Sequence, residues 1–547
     1  MPERRPNVLV IMTDEERYPP PYEEAAVTNF RRDMFPARQR LRADGVEFHR
    51  HYAASTACLP SRASLFTGHY PSLHGVTSTD GLAKAANDPG ISWLDPDGVP
   101  TMGDWFRAAG YSTHYRGKWH ISHADLIPGG SHVGLMANDR TGTVDPEVVD
   151  LYQRADRLER FGFSGWIGRE PHGPNPADTG FVRDPLFADQ VSELFGELAA
   201  DQADSRPFLA VASFVNPHDI VFSGFGWDAL GFPAIDDGVP EVGEAPSQGD
   251  SFAGRPDCQQ RFRDLWPQLL YPQPTDGTYR RFYLWLHQLV DRAIERILLA
   301  LDASGLAEDT IVIFTSDHGD LVGAHGGMQQ KWYSAFDEAI RVPLVVSGPG
   351  ITPSATGVSA PTSHIDLLPT LLGLAGVEPE SLMGELSKQH VEVQGLVGRD
   401  LSPMIRSPES SPPGDPVYFT TEDHIDAGLR QNNRFTGDRF VPVAAPANIE
   451  SVIVALPEGD DGDSRLWKLS QYYDRLTEWE AAHRVAPPAG ADPDPVDSQW
   501  ELYDLSADPE ERNNLWTAPE APVDRLRQVL ESAREDHRRV PLHRSGH

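Results

Sequence analysis

Cysteine is almost missing from this chain: there are two in 547 residues, at positions 58 and 258. A disulfide-stapled scaffold is thereby excluded, and two distant thiols fit a reducing compartment. Basic residues are also scarce, 47 against 81 acidic ones, giving a formal net charge of −34. Such a field repels the phosphates of nucleic acid and of anionic membranes, so neither is an expected partner. A small anionic ligand meets the same repulsion, and any anion site must therefore be positive locally. Long hydrophobic runs are missing too. After Met1-Pro2-Glu3-Arg4-Arg5-Pro6, only Val8 to Met12 form an apolar stretch before Asp14, too short for a signal-peptide core or a membrane span. The expected location is cytoplasmic.

What is present suffices for a large core. The hydrophobic fraction is 39%, and the length accommodates one large α/β domain with a smaller companion. Strand-like apolar runs at 7–12, 207–215, 310–315 and 342–347 alternate with stretches at 187–200 and 279–303, whose apolar residues recur at three and four. This alternation predicts an α/β fold with a parallel sheet covered by helices on both faces, and ligands outside the carboxyl ends of its strands. Gly/Pro-rich segments at 223–256 and 402–416 read as surface insertions or connectors. The second sets the expected boundary between a catalytic domain over 1–415 and an antiparallel α+β domain over 416–547. Short strands around 417–420, 451–456 and 466–472, then a helix near 519–538, are predicted for the latter.

The run Cys58-Leu59-Pro60-Ser61-Arg62-Ala63-Ser64-Leu65-Phe66-Thr67-Gly68 reads as a short helix. Pro60 is a good first helical residue and Gly68 a good stop. Cys58 then sits at the positive end of the helix dipole, with Arg62 four residues on and on the same face. That corner attracts an anion and holds a nucleophile beside it. Cys258, in Arg-Pro-Asp-Cys-Gln, reads as a bystander in a loop.

Further chemistry follows strands. The first delivers Asp14-Glu15, and the run Ile311 to Phe314 delivers Ser316-Asp317-His318-Gly319. Adjacent carboxylates are costly to hold close unless a cation neutralises them, and two strand ends bearing oxygen and imidazole donors read as one divalent site. In Tyr115-Arg116-Gly117-Lys118-Trp119-His120, strand alternation puts Lys118 and His120 on one side, a cation beside a titratable donor. The strand at 207–215 leads into Asn216-Pro217-His218-Asp219.

These motifs, in this order, resemble the sulfatase family of the alkaline phosphatase superfamily: C-x-P-x-R-x-x-x-x-T-G at Cys58, G-K-W-H at 117–120, the Asp317 loop running through Gly323 and His325-Gly326 to Lys331. The resemblance starts near residue 6 and passes 515, where Glu501 to Leu505 and Asp508-Pro509-Glu510-Glu511 match a closing segment common there. It implies an α/β fold with a large mixed, mostly parallel sheet flanked by helices, and that Cys58 is oxidised to formylglycine by a transient formylglycine-generating enzyme. It also implies that Asp14, Asp317, the oxygen at position 58 and positions 15 and 318 hold one divalent ion. Calcium is the expected ion, with manganese the alternative, because His318 stands where Asn is frequent and moves the site away from all-oxygen chemistry. Glu15 stands where Asp or Gln is usual.

By the same resemblance, Lys118 and Lys331 bind the sulfate group, His120 contacts the formylglycine hydrate and His218 contacts the departing ester oxygen. Arg62 adds positive charge, while Glu338 and Arg341 look structural. The expected activity is hydrolysis of sulfate monoesters, aryl sulfate by default. Alternatives are a phosphonate or phosphate ester hydrolase of the same superfamily, which shares Asp-His at 317 and 318 but tends to lose the pair at 118 and 120, and a catalytically silent anion-binding homologue. Trp93, Trp105, Trp119 and Trp332 read mainly as core, His325 is undecided, and a homo-oligomer is possible by fold analogy.

Overall fold

The structure is a computed structural model that describes residues 5–171, 173–201, 206–408, 415–457, 464–474 and 497–542. Its strands are β1 (Asn7–Asp14), β2 (Gly45–Tyr52), β3 (Ser112–Gly117), β4 (Phe208–Pro217), β5 (Thr310–Ser316), β6 (Arg341–Ser347), β7 (Thr362–Ser363), β8 (Val417–Thr421), β9 (Asn448–Pro457), β10 (Ser464–Tyr473) and β11 (Gln499–Asp504). The helices that matter below are α1 (Cys58–Thr67), α2 (Gly180–Ala200), α3 (Asp257–Leu269), α4 (Gly277–Ser304) and α5 (Val523–His537).

Among the described residues, the large sheet has seven strands in the order β3-β4-β1-β5-β6-β2-β7. Strand β1 is buried along its whole length and pairs in parallel with both β4 and β5, which is why it reads as a continuous apolar run. Its side chains alternate between faces: Val8, Val10 and Met12 join Leu59, Ala63, Phe66, Trp105 and Trp119 on one side. Leu9 and Ile11 join Phe187 and Val191 of α2 and Ile294 and Leu298 of α4 on the other. Strand β6 departs from the parallel pattern, running antiparallel to β5 and to β2, so the sheet is mixed. Strand β2 lacks a continuous apolar run because only alternate residues, such as Val46 and Phe48, enter the core.

Helix α1 begins at Cys58 rather than at Pro60, two residues earlier than expected. Pro60 still lies in the first turn, where its missing N–H breaks no helical bond. Gly68 ends the helix in the left-handed region at φ 68°, its N–H bonding the Ser64 carbonyl. Cys258 sits in the first turn of α3, not in a loop, and is buried.

Beyond the large sheet, β8 to β11 form a four-stranded antiparallel sheet in the order β11-β10-β9-β8, covered by Leu526, Leu530 and Ala533 of α5. It meets the large sheet near Cys58, where Thr420 N–H donates to the Ala54 carbonyl and the Thr421 hydroxyl to that of Thr56. Residues 409–414 of the expected boundary lie outside the described residues. Among the described residues, no helix is long and apolar enough to cross a membrane.

Candidate active site

Strand register builds the centre of the site. Thr13 of β1 pairs with Ser316 of β5, so the residues that follow, Asp14-Glu15 and Asp317-His318, emerge side by side. The Asp317 carboxylate accepts the backbone N–H groups of Glu15 at 3.0 Å and of His318 at 2.8 Å. From β3, Lys118 is placed by its N–H bond to the Ser213 carbonyl, 2.9 Å. Only glycine can precede it: Gly117 has φ 105°, and a Cβ there would stand 1.8 Å from that same carbonyl oxygen.

Helix α1 brings Cys58 and Arg62 down onto these strand ends. The sulfur of Cys58 lies 3.1 Å from His318 Nε2 and 3.7 Å from Asp14 Oδ1. One donor atom each from Asp14, Cys58, Asp317 and His318 lies within 4.8 Å of all the others, and all four residues are buried. Two carboxylates, an imidazole and the side chain of Cys58 fit a divalent cation in number and chemistry. Burial opposes ionisation of Asp14, but Lys118 and Arg62 outweigh it and hold the carboxyl well below the usual range. Burial also lowers the His318 imidazole, keeping it neutral as a ligand must be.

Arg62 does not face outward. Its guanidinium is completely buried, donating to Asp317 Oδ2 (2.8 Å), Asp14 Oδ2 (2.7 Å), the Lys118 carbonyl (2.8 Å) and the Ser213 hydroxyl (3.0 Å). It braces the carboxylates from behind. Lys118 Nζ also reaches Asp14 Oδ2, at 2.7 Å. Glu15 converges on Asp14 and the half-buried His218, in a group distinct from the Cys58 cluster, and its carboxylate pairs with Lys331 at 3.0 Å. Burial pushes Glu15 well up, an effect the lysine offsets only in part. Lys331 Nζ in turn lies 4.6 Å from the Trp332 ring centroid.

His120 Nε2 donates to the Asp80 carboxylate at 2.8 Å. Asp80 had no signal in the sequence, since it reaches the site only through folding. The same holds for Asp423, after β8, whose carboxylate accepts the N–H of Ala57 at 3.2 Å and of Thr79 at 3.0 Å, fixing the backbone just before Cys58. Glu170, half-buried and pushed to about 7 by desolvation and by Asp125, accepts the Trp119 N–H at 2.8 Å and so holds the segment between Lys118 and His120. His325 is fully buried, stacked 3.6 Å on Phe336 and bonded to Glu338 at 2.9 Å. Glu338 and Arg341 are brackets, the latter donating to the His49 carbonyl at 2.8 Å. Trp105, Trp119 and Trp332 are core, and Trp93 is partly buried with its ring 6.4 Å from that of His120.

A family model described as Sulfatase matches residues 6–377 of the chain. The chain belongs to the sulfatase family. It is 31% identical over 388 residues to the Escherichia coli K12 protein named uncharacterized sulfatase YidJ, covering 70% of each. It is 25% identical over 537 residues to the choline-sulfatase of Rhizobium meliloti 1021, covering 95% of this chain and 84% of that one. In fold it is similar to the phosphonate monoester hydrolase of Agrobacterium radiobacter, with a TM-score of 0.56 and 20% identity over 97% of this chain and 96% of the other. This sulfatase is accordingly a sulfuric ester hydrolase with the fold of the alkaline phosphatase-like enzymes.

Proposed function

We propose that the chain hydrolyses sulfate monoesters at the strand ends described above, with a nucleophile derived from Cys58 by conversion to formylglycine in a transient encounter with a formylglycine-generating enzyme. The convergence of Cys58 with Asp14, Asp317 and His318 carries this reading. An unconverted thiol does not serve: burial pushes it well above the ordinary range, so it stays protonated at neutral pH, and it has no second hydroxyl with which to release sulfate. The converted side chain would supply a pair of hydroxyls on one carbon, one for attack on sulfur and one for release. A divalent ion held by Asp14, Asp317, His318 and position 58, calcium or else manganese, would supply Lewis-acid charge.

The remaining work falls to the chain's own residues. Lys118 and Lys331 bring two buried cations to an otherwise acidic protein and neutralise the sulfonate oxygens as the ester bond breaks. His218, at the end of β4, holds a proton for the departing oxygen. His120, oriented by Asp80, takes a proton from the hydroxyl at position 58. Arg62 keeps Asp14 and Asp317 in place. Cytoplasmic residence fits the two free, buried thiols. The division into 1–415 and 416–547 places all of these groups on the first part, with Asp423 reaching in from the second.

The test has two parts. A mass spectrum of the tryptic peptide 51–62, from protein made alongside a formylglycine-generating enzyme, should show an aldehyde or its hydrate in place of the thiol; an intact thiol overturns the mechanism. Matched aryl sulfate and aryl phosphonate esters should then show higher kcat/KM for the sulfate. The retained Lys118 and His120 favour that order, and the reverse order makes the chain a phosphonate hydrolase.

A further inference from the structure

We propose that the loop over 424–443, which touches the segments next to Asp80 and His218, forms a second binding site for an additional sulfate or carboxylate group on a sugar ring of the substrate. The inference rests on the sulfatase reading above and narrows its substrate class to a multiply charged, sulfated saccharide. Three arginines, Arg430, Arg434 and Arg439, occur within ten residues there, with Asp438 the single acid between them. All three are exposed, and among the described residues none forms an ion pair. Several other exposed arginines of this acidic chain do, among them Arg32 with Asp33, Arg40 with Asp302 and Arg160 with Asp97. Burial lowers the Arg434 guanidinium and the nearby Arg430 opposes its charge further, with Asp80 offsetting part of this. Arg430 and Arg439, with Leu429, Gln431 and Asn432, line a hollow of about 470 Å³. Three exposed cations with no ion pair of their own, gathered in a protein of net charge −34, mark a place where an anion is to be supplied from outside.

The loop is tied to the segments next to His120's partner Asp80 and next to His218. Arg434 donates to the Gly81 carbonyl at 3.4 Å, and the neighbouring Asp80 holds His120. The Arg430 N–H bonds the Ala83 carbonyl at 2.9 Å. On the other side, Phe435 packs edge-on to Tyr271 with centroids 5.6 Å apart, and Phe225 does the same at 6.0 Å. Tyr271 donates to the Val221 carbonyl at 3.0 Å, within the short turn His218–Phe222 that opens with His218. Phe435 and Phe225 are 53% and 67% exposed, so apolar ring surface stands next to the arginines rather than inside the core. The loop is also pre-set: buried Asn433 donates to the carbonyls of Gln268 (2.6 Å) and Leu270 (2.8 Å) and accepts the Phe435 N–H at 2.7 Å.

Guanidinium forks match sulfate and carboxylate oxygens, and exposed aromatic rings cover the apolar face of a sugar. A choline ester carries a cation that these arginines repel, and a simple aryl sulfate has no second anion for them. The saccharide is the substrate that uses both features.

Sucrose octasulfate is the probe, measured by calorimetric titration and as an inhibitor of 4-nitrophenyl sulfate turnover. It should bind the wild type at least about tenfold more tightly than inorganic sulfate, and the triple variant R430A/R434A/R439A should lose that margin while kcat/KM for 4-nitrophenyl sulfate stays within about twofold. Phe435→Ala should weaken octasulfate but not tripolyphosphate. An unchanged margin in the triple variant overturns the site. Equal binding of tripolyphosphate and octasulfate, insensitive to Phe435→Ala, overturns the saccharide. Loss of 4-nitrophenyl sulfate turnover by the wild type would count against the sulfatase mechanism instead, since the titration reports on the loop without turnover.

Discussion

His318 turns Nε2 toward Cys58, 3.1 Å from its sulfur, while its Nδ1 lies 3.0 Å from the Gly319 carbonyl. A carbonyl can only accept, so Nδ1 carries the proton and Nε2 presents its lone pair to position 58. The tautomer a metal ligand needs is thus set by the backbone of the next residue.

Metal binding should therefore be read in stability as well as in rate. Asp14, Asp317 and His318 come together with position 58 only in the folded chain, so an ion held there binds the native state alone. Chelation should abolish turnover and lower the melting temperature, and an ion at a hundred times its dissociation constant should restore about 2.7 kcal/mol. His318→Ala should lose both the turnover and most of that thermal response; an unchanged response would remove His318 from the ligand set.

Asp80 should act through His120. Their 2.8 Å contact holds the imidazole ring and favours the charge it acquires on taking a proton. Asp80→Asn should lower kcat by about 10²-fold with a small change in KM, and should shift the pH–rate profile, since proton transfer by a positioned base contributes roughly 10² to 10⁴. A fall in kcat with an unmoved profile would leave Asp80 a packing role only.

Much of this site was legible because its strands are buried on both faces: an apolar run that ends abruptly in Asp14-Glu15 or Asp317-His318 gives away both the strand and its chemistry. Arg62 was legible as a cation but not in its direction, because four acceptors supplied by β1, β4, the β3 end and Asp317 turn it inward. Asp80, Glu170 and Asp423 carry no local pattern; each acts through backbone or side-chain partners 40 to 366 residues away. The antiparallel turn of β6 was hidden for a related reason, since a strand buried on both faces reads the same in either direction.

Acid should unfold the protein through histidines that have no catalytic part. His69 and His74 are buried, and desolvation lowers them to about 4 and about 3 from an ordinary 6.5. The native state thus resists protonation that the unfolded chain accepts. Their contribution is complete above pH 6.5 and is lost as pH falls toward 4 and 3, at up to about 1.4 kcal/mol per unit for each ring. His74 Nε2 meets the Ser64 hydroxyl of α1 at 3.1 Å, so the helix bearing Cys58 is involved. Denaturant unfolding between pH 7 and 5 should show this slope, and His74→Gln should flatten it by one ring's share; an unaltered slope would assign the acid lability elsewhere.

The closing segment after β11 should matter for stability rather than chemistry. Lys468 of β10 is buried with its Nζ 2.6 Å from Asp337 and 2.9 Å from Glu511, and it also donates to the Ala335 carbonyl at 2.9 Å. Glu511 accepts the Asp337 N–H at 2.6 Å, and Glu338 beside it holds His325. One lysine therefore joins the small sheet and the closing segment to the stretch that follows Lys331. Lys468→Met leaves the buried Glu511 without its cation, while Asp337 keeps Arg341 at 3.4 Å, and should cost about 3–5 kcal/mol, whereas the double variant K468M/E511L, which removes charges of both signs, should recover much of that loss. Equilibrium unfolding of the two single variants and the double decides it: additive losses would mean that Lys468 and Glu511 do not act as a pair.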